Sequence, residues 1–169
     1  MKQFQAAILG FGTVGSGVYR ILTENRKDLM HRENLDITVK RILVRDFEHE
    51  PNLHLAPMSI FTTDYSDILN DPEISVVVEC MGGVEPARTF ILDALSRGKS
   101  VVTSNKEVVS KNWPAFEAAA KASGAGLYIE ATVGGGIPIL RTITDSMQAN
   151  NITKVMGIIN KAHAEDAAN

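Results

Sequence analysis

A glycine turn near the N-terminus, Gly10-Phe11-Gly12-Thr13-Val14-Gly15, has the residue types and spacing of a phosphate-binding loop. It follows an apolar run over residues 6–9, typical of a buried strand, and precedes a helical pattern over residues 14–23. In such a turn we expect Gly10 to permit a tight exit from the strand, Gly12 to let a pyrophosphate approach, and Gly15 to pack the helix closely. Free N–H groups and the dipole at the helix start favour an anion. The turn predicts a dinucleotide site; the alternative is a purely structural glycine turn.

Two charged residues, Arg45 and Asp46, follow a second predicted strand over residues 37–44. A carboxylate there accepts hydrogen bonds from an adenosine ribose, whereas an arginine pairs with a 2′-phosphate. Because both are present, the choice between NAD and NADP stays open. Their separation from the glycine turn exceeds the roughly 20 residues usual for this motif. The alternative is a solvated charge pair at the end of a strand.

Lys106 closes the segment Thr103-Ser104-Asn105-Lys106, at the end of a short predicted strand. In a parallel sheet, a lysine at the carboxyl end of a strand points toward the ligand crevice. There its ammonium can hydrogen-bond a nicotinamide ribose, or a substrate carbonyl that gains negative charge during hydride transfer. The alternative is an ordinary residue in the first turn of a helix.

A third segment runs from Glu130 to Pro138 through three consecutive glycines, Gly134-Gly135-Gly136. Three glycines cost backbone entropy on folding, which indicates a backbone shaped for a close approach. Carbonyl groups turned inward by such a loop can coordinate a hard monovalent cation. The alternative is a tight turn between a strand and a helix.

Alternating strand and helix patterns indicate how these segments are positioned. This alternation predicts an α/β fold of the Rossmann type, with a doubly wound, mostly parallel sheet and helices on both faces. Ligands of such a fold bind at the carboxyl ends of the strands. Predicted strands cover residues 6–9, 37–44, 74–80, 100–103, 127–130 and 152–159, and predicted helices cover 14–23, 65–69, 85–97, 106–123 and 139–147.

Composition limits the class of protein. The 169 residues are 44% hydrophobic, enough for one well-packed core. A net charge of -3 gives no electrostatic basis for binding nucleic acid or an anionic membrane. The sequence has no apolar run of the roughly 18 residues that a membrane-spanning helix needs. The single cysteine, Cys80, has no partner for an internal disulfide and is interpreted as a free thiol near the end of a buried strand. We therefore expect a cytoplasmic protein that binds neither nucleic acid nor membrane.

Four motifs in order carry a resemblance to a known family: Gly10-Phe11-Gly12-Thr13-Val14-Gly15-Ser16-Gly17, Glu79-Cys80-Met81-Gly82-Gly83, Val102-Thr103-Ser104-Asn105-Lys106, and Glu130-Ala131-Thr132-Val133-Gly134-Gly135-Gly136-Ile137-Pro138-Ile139. Over about residues 5–160 the chain resembles homoserine dehydrogenase. Residues 154–160 are similar to the strand by which that family crosses into its second domain. The resemblance implies NAD(P)-linked interconversion of L-homoserine and L-aspartate 4-semialdehyde, in the route to threonine, methionine and isoleucine.

The same resemblance implies roles for individual positions. The implied cofactor-binding residues are Gly10, Phe11, Gly12, Thr13, Val14, Gly15, Arg45, Asp46, Gly82, Ser104 and Lys106. Lys106 is also implied to position the substrate against the nicotinamide. A sodium ion, held largely by main-chain oxygens, is implied at Glu130, Val133, Gly135 and Ile137.

The resemblance ends near Asn160. We expect an NAD(P)-binding domain over residues 1–160 and a short tail over 161–169, at the junction with a missing substrate domain. In the family that second domain holds the amino-acid substrate, forms the homo-oligomer and carries a proton-donating lysine. The isolated chain is therefore expected to bind cofactor without turnover. The alternatives are a non-catalytic dinucleotide-binding module or another Rossmann oxidoreductase.

Overall fold

A sheet of six parallel strands organises the computed structural model, which describes residues 1–154 and 156. In the order β3-β2-β1-β4-β5-β6, the chain moves outward from β1 in one direction and then crosses to β4 on the other side. This is the strand order of doubly wound dinucleotide-binding folds, so the predicted fold class is confirmed. The strands are β1 (Lys2–Leu9), β2 (Leu35–Leu43), β3 (Phe61–Thr62), β4 (Ile74–Glu79), β5 (Ser100–Thr103) and β6 (Leu127–Tyr128).

Helices cover both faces of this sheet. One buried cluster joins β1, β4 and β5 to α4 (Ala87–Ser96) and α5 (Lys106–Ser123), and a second joins β1 and β2 to α1 (Thr13–Glu24). Within β1, Ala7 and Leu9 belong to the first cluster and Ile8 to the second, because successive side chains of a strand point to opposite faces. Burial on both faces explains the continuous apolar runs over residues 6–9 of β1 and 76–78 of β4.

Local sequence sets several helix ends. Asn105 caps α5 by accepting the Val108 N–H at 3.2 Å, and Gly124, with φ of 74°, ends the same helix. The C-cap of α4 is Arg97, and Gly98, with φ of 75°, follows that cap. The short α3 (Ser66–Leu69) has Tyr65 at its N-cap, and the preceding Asp64 carboxylate accepts the Ser66 N–H at 2.8 Å. The other α-helices before residue 139 are α2 (Arg26–Glu33) and α6 (Glu130–Val133), and two 3₁₀ helices cover Leu53–Leu55 and Met58–Ile60.

The elements α2 and β3 were not predicted, and several predicted bounds after α5 differ from the structure. The strand predicted over residues 127–130 is limited to β6, and Glu130 already begins α6. The helix predicted over 139–147 is a short α7 (Ile139–Arg141) followed by a π-helical turn (Thr142–Ser146). Residues 152–154 and 156 are not in a strand, and the remainder of the strand predicted over 152–159 lies outside the described residues.

The chain divides into two compact units. The first is Met1–Ile139, which contains the whole sheet, and the second begins at Leu140 and is described over residues 140–154 and 156. The predicted domain end at residue 160 and the predicted tail over 161–169 lie outside the described residues. In the described part of the chain, the helices are all too short or too polar to span a membrane.

Candidate functional site

The glycine turn after β1 is shaped by close backbone packing. Gly10 has φ of 88°, a conformation that side chains disfavour, and a Cβ added there would lie 3.1 Å from the Cys80 carbonyl oxygen. A Cβ on Gly15 would lie only 2.0 Å from the Gly10 carbonyl oxygen. Around Gly12, by contrast, a Cβ would meet no atom of the described residues within 4 Å. The first and third glycines thus serve the fold, and the second faces open space.

The first turn of α1 adjoins this open space. The Gly12 carbonyl accepts both the Ser16 N–H at 2.9 Å and the Ser16 hydroxyl at 2.8 Å, so this oxygen is satisfied locally. The N–H groups of Thr13, Val14 and Gly15 belong to the first turn and have no acceptor within the helix. Gly12, Thr13 and Val14 are exposed. The turn therefore offers hydrogen-bond donors and the positive end of a helix dipole to an anion of phosphate size.

A cleft of about 420 Å³ opens beside the turn, within the range usual for small-molecule sites. It lies at the carboxyl edge of the sheet where the strand order reverses between β1 and β4, the position that binds ligands in doubly wound folds. The cleft brings together five predicted cofactor-binding residues: Gly10, Phe11, Gly12, Arg45 and Gly82. Residues that the sequence did not single out as cofactor contacts also line it, among them Glu50, Thr63, Tyr65, Cys80, Met81, Glu85, Pro86 and Phe90.

Asp46 is not among the residues that line this cleft. Its Oδ1 accepts the His49 N–H at 2.7 Å and lies 2.8 Å from the His49 Nδ1. These two hydrogen bonds, the backbone one first, hold the pKa of Asp46 below its ordinary value. The acidic side chain of this loop that does line the cleft is Glu50, four residues further along the chain.

A buried hydrogen-bond network joins the ends of β4 and β5. Glu79 is fully buried; its Oε1 accepts the Met81 N–H at 2.8 Å and its Oε2 accepts the Thr103 hydroxyl at 2.6 Å. Thr103 Oγ1 in turn accepts the Asn105 N–H at 3.0 Å, and Asn105 Nδ2 donates to the Gly83 carbonyl at 2.7 Å. Because buried polar groups need partners, this network ties the loop that lines the cleft to the loop that begins α5.

Ser104 and Lys106 flank the Asn105 cap of α5 but do not line the cleft. Lys106 is exposed, and Ser104 is partly buried with a side-chain hydrogen bond to Cys80. Both residues follow β5, which pairs with β4. The structure therefore places them at the same edge of the sheet as the cleft, one strand beyond β4.

The Cys80 thiol is in a poor environment for ionisation. Burial in the first place, and the negative charge of Glu79 in the second, raise the pKa of Cys80 to about 11. Since the thiolate is the reactive form, this cysteine is a weak nucleophile at neutral pH. It contributes a small, partly buried surface to the cleft, in agreement with the interpretation of a free thiol at the end of a buried strand.

An aromatic pair, Tyr65 and Phe90, also lines the cleft. The rings stack with centroids 3.9 Å apart and planes 17° apart, and the Tyr65 hydroxyl donates to the Phe90 carbonyl at 2.7 Å. Burial raises the pKa of the Tyr65 phenol above its ordinary value, so the hydroxyl remains a donor. Such a fixed pair is a flat apolar surface suited to a planar ring.

The segment expected to hold a cation folds as α6 followed by the glycine loop. The Glu130 carbonyl accepts the Gly134 N–H at 3.3 Å, and the Ile137 carbonyl accepts the Ile139 N–H at 2.9 Å. Val133, Gly135 and Ile137 are exposed. A carbonyl oxygen has two lone pairs, so one hydrogen bond leaves it able to bind a hard cation. Main-chain carbonyl oxygens, such as those this segment carries, are of the hard-donor type that a monovalent ion takes.

Several residues that line the cleft were not predicted from the sequence, for different reasons. Met81 lies directly before Gly82, within a motif already recognised, and could have been included on that ground. Glu50 lies in a polar loop without periodicity, where residue types alone do not show which side chain faces a cleft. Tyr65 and Phe90 are 25 residues apart and meet only in the folded chain.

Comparison with known proteins decides the family. Residues 10–130 match the family model described as the NAD binding domain of homoserine dehydrogenase. The chain belongs to the homoserine dehydrogenase family. The homoserine dehydrogenase of Bacillus subtilis is 42% identical over 160 residues, which are 95% of this chain and 37% of that protein. The crystal structure of a homoserine dehydrogenase from Thiobacillus denitrificans matches with a TM-score of 0.81 at 40% identity, covering 89% of this chain and 34% of the other.

A more distant relative adds a bound cofactor. A hyperthermophilic archaeal homoserine dehydrogenase, solved in complex with NADPH, matches with a TM-score of 0.68 at 25% identity, over 83% of this chain and 48% of that one. The chain thus spans between about a third and a half of these three homoserine dehydrogenases. The resemblance that the four motifs carried is confirmed at the level of the family.

Proposed function

We propose that this chain binds NAD(H) or NADP(H) in the cleft between the ends of β1 and β4, as the cofactor-binding part of a homoserine dehydrogenase. The observation that carries the proposal is the open space at Gly12, beside the first turn of α1 and a cleft of about 420 Å³. The family match over residues 10–130 and the NADPH complex of the archaeal relative support it.

The proposed binding mode follows the carboxyl edge of the sheet. The pyrophosphate takes the N–H groups near Gly12, Thr13 and Val14, with Gly10 and Gly15 holding the turn in shape and Phe11 lining the cleft. The adenosine end lies toward Arg45, in the loop after β2. The nicotinamide end lies toward Gly82, Ser104 and Lys106, in the loops after β4 and β5.

The proposed reaction interconverts L-homoserine and L-aspartate 4-semialdehyde, on the route to threonine, methionine and isoleucine. When bound, the nicotinamide would supply or accept the hydride, and the hydroxyl proton would pass to or from the lysine that the family resemblance implies in the second domain of the complete enzyme. The exposed Lys106 ammonium orients the amino-acid substrate and stabilises negative charge on its carbonyl oxygen. Asn105 keeps Lys106 at the start of α5 through its cap and its bond to the Gly83 carbonyl.

Three further properties belong to the proposal. A sodium ion is held near Glu130, Val133, Gly135 and Ile137, supported by the hard-oxygen chemistry of their carbonyls. The full-length enzyme is a homo-oligomer, supported by the family resemblance. The protein acts in the cytoplasm, supported by the single unpaired cysteine and the nature of the proposed reaction.

The binding mode is tested by Gly12→Val at the N-cap of α1, with Gly17→Val inside that helix as the control. Both positions leave room for a Cβ, but only Gly12 lies where the pyrophosphate is placed. Calorimetric titration with NADPH and NADH should show at least about a tenfold loss of affinity for Gly12→Val, from loss of phosphate contacts, and little change for the control. Equal affinity of the two variants would show that the turn does not bind the cofactor.

Arg45→Ala tests the adenosine end. The guanidinium presents up to five donors in a planar fork, which suits a 2′-phosphate. We expect weaker binding of NADPH and nearly unchanged binding of NADH. Equal losses for the two cofactors would contradict this role of Arg45.

A further inference from the structure

The loop after β2 carries three acidic residues, of which Glu48 is exposed and absent from the cleft lining, while Asp46 and Glu50 differ in their surroundings. Asp46 Oδ1 is engaged by both the backbone N–H and the ring Nδ1 of His49, and Asp46 is absent from the lining of the cleft. Glu50 is partly buried and lines the cleft together with Arg45. The carboxylate nearest to the strand end is therefore occupied with shaping the loop, and the later one faces the cleft.

Hydrogen bonds tie Glu50 to the glycine turn. Its Oε1 accepts the Asn52 N–H at 3.2 Å, and the Asn52 side chain donates to the Phe11 carbonyl at 2.9 Å. Phe11 is buried and packs edge-on against Phe61, with ring centroids 5.2 Å apart. Because Phe11 belongs to the turn that would hold the pyrophosphate, Asn52 links Glu50 to that turn through one hydrogen bond on each side.

We propose that Glu50, and not Asp46, is the acid that meets the adenosine ribose, and that Glu50 and Arg45 together set the cofactor preference. This inference rests on the proposed function. An ionised carboxylate offers about four acceptor positions, so Glu50 can bind ribose hydroxyls while it keeps its bond to Asn52. A 2′-phosphate, with a charge of roughly −2, is repelled by Glu50 and attracted by Arg45. Because their charges are opposite, removing either Glu50 or Arg45 should change the preference between NADH and NADPH.

The test compares Glu50→Gln with the matched variant Asp46→Asn. Each substitution removes one negative charge and keeps the size of the side chain. The measured quantity is the ratio of the Kd for NADH to the Kd for NADPH, from calorimetry. We expect Glu50→Gln to shift the ratio toward NADPH by about tenfold, since a like charge is removed from beside the 2′-phosphate. Asp46→Asn should leave the ratio within about twofold of the unsubstituted chain.

A second pair of ligands separates the adenosine end from the rest of the cofactor. Titration with 2′,5′-ADP and with ADP should give the same shift for Glu50→Gln, because neither ligand contains nicotinamide. Should Glu50→Gln fold poorly by circular dichroism, Glu50→Asp serves instead. That variant keeps the charge and is expected to keep the ratio, so a shift toward NADPH there would contradict the role of charge.

The outcomes distinguish the inference from the function on which it rests. If the unsubstituted chain binds neither NADH nor NADPH, the proposed function is wrong. If it binds them and Asp46→Asn shifts the ratio as much as Glu50→Gln, the cofactor site stands and the assignment of Glu50 is overturned.

Discussion

A buried charged side chain lies near each end of β4. Different groups stabilise the charge at the two ends. At the amino end, Lys99 is 6% exposed, and its Nζ donates to the carbonyls of Asp71 at 2.6 Å and Ile74 at 2.7 Å. At the carboxyl end, Glu79 accepts from the Met81 N–H and the Thr103 hydroxyl. At each end, neutral groups form the hydrogen bonds of the buried side chain. That side chain is basic at the amino end and acidic at the carboxyl end.

The surroundings of these two residues show what each edge of the sheet does. At the amino edge, Lys40 forms an ion pair with Asp71 at 2.7 Å and a second with Glu73, so the groups there are partnered among themselves. At the carboxyl edge, Glu79 holds Met81, which lines the cleft beside Gly82. The bonds at the amino edge therefore stabilise the fold alone. At the carboxyl edge, similar bonds also shape a surface that is open to a ligand.

Among substitutions at the carboxyl edge, Gly15→Ala is expected to have the largest effect on the free energy of unfolding. The new Cβ would overlap the Gly10 carbonyl oxygen at 2.0 Å, so α1 must move away from β1. We expect the free energy of unfolding to fall by about 3 kcal/mol, at the upper end for overpacking, as measured by urea unfolding. Gly17→Ala in the same helix has open space around its Cβ and should raise stability by about 0.5 kcal/mol. Similar results for the two variants would contradict the packing role of Gly15.

Lys99→Met and Glu79→Gln compare the two edges directly. Lys99→Met leaves two carbonyls without their buried donor, and Glu79→Gln turns an amide N–H₂ toward one of two donors. Each should cost about 1–3 kcal/mol in urea unfolding. Only Glu79→Gln should also weaken NADPH binding, because only that network holds Met81 in the cleft lining. Equal Kd values for the two variants would give Glu79 a purely structural role.

Elements whose ends depend on local chemistry were predicted from the sequence. The bounds of β5 and α5 agree with the prediction. Asn105 caps the start of α5 and Gly124 ends it, so both ends of this helix are set by adjacent residues of the sequence. The roles of Gly10 and Gly15 in the turn were also predictable, since a motif with a known backbone specifies them. The strand over 127–130 was predicted two residues too long, because the strand-favouring Ile129 caps α6 in the folded chain and Glu130 begins that helix.

The cleft was only partly predictable, for a physical reason. Gly10, Phe11, Gly12, Arg45 and Gly82 follow strand ends and could be placed by the topology alone. Whether Asp46 or Glu50 faces the cleft depends on the hydrogen bonds of His49 and Asn52, which the sequence pattern does not reveal. The stack of Tyr65 on Phe90 depends on how two separate loops pack.

Acid should act on ion pairs away from the cleft. Hydrogen bonds from Arg26 and Lys40 hold the pKa values of Asp36 and Asp71, respectively, below the ordinary value. Groups with a lowered folded-state pKa stabilise the fold fully above the ordinary carboxyl pKa, about 3.9, and this contribution is lost as the pH falls through the lowered values. We expect stability in urea to fall between pH 5 and pH 2, with a smaller acid-dependent loss in Asp36→Asn. An unchanged acid dependence in that variant would remove Asp36 from the explanation.

The smallest effect is expected where a charge pair belongs to neither edge. On α5, Lys121 Nζ lies 2.9 Å from Glu117 Oε1, with 74% and 43% of the two side chains exposed. Water and salt screen such a pair, and ordering two long side chains offsets much of the attraction. Glu117→Gln should therefore change the free energy of unfolding by about 0.3 kcal/mol, the usual size for this helical spacing, and by less in 1 M salt. NADPH affinity should not change. If Glu117→Gln lowered the free energy of unfolding as much as Lys99→Met, exposed pairs would stabilise this domain as strongly as buried charges do. The contrast between the sheet edges and the surface would then be wrong.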